Sequence, residues 1–106
     1  MAFSIKQNDT SPALQATLKD TSLTAVDLTG ATVRLHMNSI EGTSKIDAAM
    51  AVTNALGGVV QYDWQAGDTD TVGTYYVEFQ VTFPDSSVET FPNNGNKVVS
   101  IVRELN

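Results

Sequence analysis

The chain has 106 residues, 42% of them apolar, which fits one globular domain over residues 1–106 and argues against disorder. It contains no cysteine, so disulfides and thiolate metal sites are excluded and stability must come from packing. A net charge of −6, with six scattered basic residues, opposes binding to nucleic acid or to anionic membrane surfaces.

The N-terminal decapeptide lacks a basic patch followed by an apolar run, and no segment reaches the length of a membrane span. Phe3 and Ile5 alternate with polar residues before the polar run Gln7–Pro12 breaks the pattern. This makes residues 1–11 a candidate extended arm, with Phe3 and Ile5 as candidate partner contacts at a neighbour's sheet edge. Leu14, Ala16 and Leu18 alternate with Gln15, Thr17 and Lys19, the signature of a half-buried strand. After a loop ending at Gly30, Val33, Leu35 and Met37 form one face and Thr32, Arg34, His36 and Asn38 the other. Ile46, Ala48, Met50 and Val52 share the next face. The composition of residues 48–56 also suits a helix, but the period of two favours a strand.

Gly57-Gly58 interrupts the chain, and Val60, Tyr62 and Trp64 continue the alternation. The longest alternation runs from Gly73 to Phe83, with Tyr75, Val77, Phe79, Val81 and Phe83 on one side. Tyr76 falls on the opposite side, facing outward as a candidate partner contact. A Pro84–Ser87 turn leads into residues 88–91. The final strand, residues 97–105, carries the pairs Val98-Val99 and Ile101-Val102, which suggest burial on both faces. Seven or eight short strands at this spacing predict an all-β fold, an antiparallel sandwich or barrel. The run Asp70-Thr-Val-Gly73-Thr-Tyr75 is similar to the tyrosine corner of immunoglobulin-like sandwiches, which makes Asp70, Gly73, Tyr75 and Trp64 the fold-defining residues. The alternative is that Tyr75 is simply the first core residue of a long strand.

The residues offer little catalytic chemistry. His36 is the sole histidine and sits on a polar strand face, and no nucleophile elbow accompanies it. Asp63, Asp68 and Asp70 lack the spacing of a calcium loop, and Gly57-Gly58 is followed by neither the lysine nor the helix of a phosphate loop. Trp64, Tyr62 and Tyr76 offer a stacking platform for a sugar. At strand spacing, however, Tyr62 and Trp64 read as core residues. No catalytic residue, metal or cofactor is expected, and the chain reads as a binding or structural module.

Five blocks together carry a family resemblance: QNDTSPALQATLKD (7–20), VDLTGATVRLHM (26–37), GVVQYDWQAGDT (58–69), GTYYVEFQVTF (73–83) and ETFPN (89–93). Through them the chain resembles the N-terminal domain of tailed-phage baseplate upper proteins and related small virion proteins. The resemblance implies an immunoglobulin-like β-sandwich, made in the bacterial host cytoplasm and mounted on the virion by contacts with other phage proteins. It implies several copies, as a homo-oligomer or an array, in the tail, neck or baseplate. In baseplate upper proteins a linker and further domains follow. The ending at Asn106 leads to the expectation of a stand-alone part. Rival expectations are a capsid decoration or head-fibre protein of the same fold, or a carbohydrate or host-surface binding module using Trp64 and Tyr76.

Overall fold

The computed structural model describes residues 2–92 and 97–105. Eight strands follow one another: β1 (Ala2–Lys6), β2 (Leu14–Thr17), β3 (Thr32–Ser39), β4 (Ser44–Asn54), β5 (Val59–Tyr62), β6 (Gly73–Thr82), β7 (Val88–Phe91) and β8 (Lys97–Val102). There is no helix among the described residues, and residues 44–54 are a strand. In that segment the alternation between apolar and polar side chains outweighs the helical preference of alanine and methionine, because a sheet buries its apolar face.

The strands form one path, β1-β8-β6-β3-β4-β5-β2, and β7 also pairs with β6. β7 and β8 lie end to end along the same side of β6, with Phe91 opposite Phe79 and Lys97 opposite Val77. β4 is the corner of the fold. Its first half pairs with β3, from Asn38↔Ser44 to Val33↔Met50, and residues 51–54 pair with β5. Register shifts at Met37/Asn38 and Val52/Asn54 accompany the bend, and such irregularities let a strand pass from one sheet to another. The β5–β2 pair is thereby folded over the inner face of β3 and β6.

Several expectations need correction. The sheet is mixed, because β1 runs parallel to β8 with Phe3 opposite Val99 and Ile5 opposite Ile101. It also curls into a barrel-like, nearly closed arrangement in place of two separate antiparallel sheets. Residues 2–6 therefore complete the chain's own sheet, and Ile5, 3% exposed, lies in the core. The reading of β8 as buried on both faces is likewise revised. Val99 and Ile101 are buried, while Val102 is 45% exposed, because only one face of the curled sheet is covered.

The core consists of rows of side chains facing each other across strands. Val33, Met50 and Val81 make one row, Leu35, Ala48 and Phe79 the next, and Met37, Ile46 and Val77 a third. Leu14 with Tyr62 and Ala16 with Val60 close the other side. The loops are held by short polar side chains. Asp20, Asp27 and Asp85 each accept a backbone N–H two residues ahead, the geometry that makes aspartate a turn residue.

Candidate interaction surface

Tyr75 is buried at the start of the inner face of β6, and its hydroxyl donates to the Thr71 carbonyl at 2.8 Å. The ring lies back over Gly73, its hydroxyl 3.7 Å from where a β-carbon would stand. Asp70 takes no part in that bond. Its carboxylate accepts from Lys45 Nζ at 2.6 Å and from Thr71 Oγ1 at 2.9 Å, which ties the 66–72 loop to β4. These hydrogen bonds, Lys45's foremost, hold the Asp70 carboxyl below the usual carboxylate range.

Trp64 is 4% exposed, and its indole N–H donates to the Pro12 carbonyl at 3.0 Å. Its ring meets Tyr62 edge-on at 5.6 Å and Phe3 at 6.0 Å. Trp64 therefore plugs the end of the barrel near β1 and is turned away from solvent, as the core reading of Tyr62 and Trp64 has it. Phe3 is half-buried against this plug. Tyr76 points outward on the opposite face of β6, between Asn38 and Val98, and is 39% exposed. Ile40 and Val72 are exposed beside the same end of the sheet.

The residues that carry chemistry are occupied by structure. His36 stands on the outer face, with Nδ1 3.5 Å from the Asp47 carboxylate and Nε2 3.4 Å from Gln80 Oε1. The Asp47 carboxylate also pairs with Arg34. Asp63 accepts from Gln61 Nε2 at 2.8 Å, while Asp68 accepts from Tyr62 Oη at 2.6 Å and from the Gln65 N–H at 2.7 Å. Burial first, and the Asp68 carboxylate second, push the Tyr62 hydroxyl above its ordinary pKa. The three aspartates thus serve separate bonds, and no group of three or more His, Asp or Glu side chains converges among the described residues.

One feature was not singled out from the sequence. β2 ends the path of strands, and a groove runs between its free edge and β8, lined by Gln15, Ala16, Thr17, Lys19 and Lys97. The Lys97 ammonium stands 5.8 Å over the Phe79 ring. Burial first, and the neighbouring Lys19 charge second, lower its pKa. In sequence, 78 positions separate the two lysines, so no local pattern announces their meeting.

With the geometry in hand, comparison with known proteins places the chain. The family model described as the BppU N-terminal domain matches residues 2–100. The chain belongs to the family of baseplate upper protein N-terminal domains. That family is one of structural proteins of the phage baseplate, so the protein is part of a phage virion. No curated protein matches the chain. Among solved structures, CopC from Methylosinus trichosporium OB3b is similar, with a TM-score of 0.57 and 11% identity over 99% of this chain and 87% of that one. At that identity the likeness concerns the fold alone.

Proposed function

We propose that this baseplate-family domain is a non-enzymatic structural module, present in several copies, that assembles into the baseplate or adjoining tail by protein–protein contacts. The observation that carries the reading is the family match across residues 2–100. Its surface is consistent with assembly. Ile40, Val72 and Tyr76 expose apolar area together at one end of the sheet, and such patches mark contacts with other proteins. In this reading Tyr75, Gly73, Asp70 and Trp64 hold the framework, and Tyr76 is a contact residue. The burial of Trp64 and the capture of its N–H by Pro12 weigh against a sugar platform. The family favours the baseplate over the capsid shell.

Purified particles provide the test. Mass spectrometry is expected to find the protein in them at a stoichiometry of several copies per tail. Deleting its gene is expected to yield heads and tails whose distal end is incomplete. Particles that lack the protein, or complete tails assembled without it, would refute the assignment.

A further inference from the structure

We propose that the groove beside β2 receives an extended, carboxylate-bearing segment of a neighbouring virion protein, added as a strand along the Gln15–Lys19 edge. This rests on the virion reading above.

The first support is the backbone. The Leu18 N–H donates to the Gly58 carbonyl at 2.8 Å, and the Leu18 carbonyl accepts from the Val26 N–H at 2.9 Å. Alternate residues of an antiparallel strand turn their N–H and C=O groups to opposite sides. Leu14, Ala16 and Leu18 therefore face β5 and the segment at Val26. Gln15, Thr17 and Lys19 turn theirs into the groove, where no strand among the described residues pairs with β2. An extended segment laid there meets a ready row of donors and acceptors, the usual basis of strand addition.

The second support is charge. The chain holds twelve acidic and six basic residues, yet two of the basic ones flank this groove and no carboxylate lines it among the described residues. The ion pairs Arg34–Asp47, His36–Asp47 and Lys45–Asp70 all lie elsewhere and involve neither Lys19 nor Lys97. Lys97 is partly desolvated over Phe79 and repelled by Lys19, so an incoming carboxylate gains more there than at an open surface. The acidic net charge argues against a nucleic-acid strand as occupant. A two-fold pairing of β2 with another β2 would gather four lysines at one seam, which disfavours a second copy.

Since the chain has no cysteine, Thr17→Cys places a single thiol on this edge, at an exposed position that leaves the core untouched. Particles carrying it are compared with the free protein, using a maleimide and a thiol-attached photo-cross-linker read by mass spectrometry. Labelling is expected to fall about tenfold in particles, and cross-links to land on an acidic segment of another virion protein. Lys19→Glu combined with Lys97→Glu is expected to lower incorporation by about tenfold while the free protein still unfolds cooperatively, and the double arginine variant to restore it. Equal labelling in both states, cross-links to another copy of this chain, or full incorporation of the folded double-glutamate variant would overturn the inference while leaving the virion role intact. Absence of the wild-type protein from particles would overturn both.

Discussion

Gly58 and Tyr75 show how single residues hold this fold. Gly58 has φ +68°, and a β-carbon there would stand 2.7 Å from the Leu18 carbonyl and 2.9 Å from that of Val26, both backbone atoms unable to give way. Gly58→Ala is expected to cost about 2–4 kcal/mol in urea unfolding, combining left-handed strain with the clash. Tyr75→Phe keeps the ring and removes only the 2.8 Å bond to Thr71, a loss of about 1 kcal/mol with the native fold retained. If thermal unfolding of Tyr75→Phe matches wild type, the hydroxyl contributes nothing and only the ring packing matters. The bond from Tyr75 to Thr71 joins near neighbours in sequence, whereas Lys45, the partner of Asp70, lies on another strand and no local pattern announces it.

Among the elements, β1 reverses an expectation. A floating arm would be dispensable for folding, yet β1 pairs along its length with β8 and puts Ile5 into the core and Phe3 against Trp64. Removing residues 1–6 takes away an edge strand and uncovers Trp64. The expected outcome is a loss of several kcal/mol, on the order of the 2–5 kcal/mol for one large buried side chain plus the ladder. Red-shifted tryptophan fluorescence should accompany it. A truncated protein with unchanged emission and stability would restore the arm. In sequence, Phe3 and Ile5 alternate in the same way whether their partner is β8 of this chain or a strand elsewhere. Alternation specifies which face is apolar and leaves the pairing partner open. The strands themselves, residues 44–54 included, were readable from that period.

Across the whole molecule, acidic and phenolic groups shape the response to pH. Asp27, Asp70 and Asp85 have carboxyls held below the ordinary range by the hydrogen bonds they accept. Their contribution is complete above the unfolded carboxylate value near pH 4 and disappears as pH falls through the lower folded values. All three are solvent-exposed, so the effect on denaturation midpoints is expected to be small and weakened by salt. Tyr62 acts in the opposite sense. Its folded pKa lies above the unfolded value near 10, so its contribution is intact below pH 10 and is lost as pH rises through the folded value. Tyr62→Phe should flatten the alkaline limb of a stability–pH curve, and an unchanged limb would place the sensitivity elsewhere. By itself the sequence determined the all-β class, most strand positions, most inward side chains and the family, because these depend on near-neighbour periodicity and on blocks read in order. Only the tertiary structure decided the parallel β1–β8 pair, the curl that nearly closes the sheet and the meeting of Lys19 with Lys97. Those depend on which distant backbone edges pair, and hydrogen bonds between main chains are the same whatever side chains they carry.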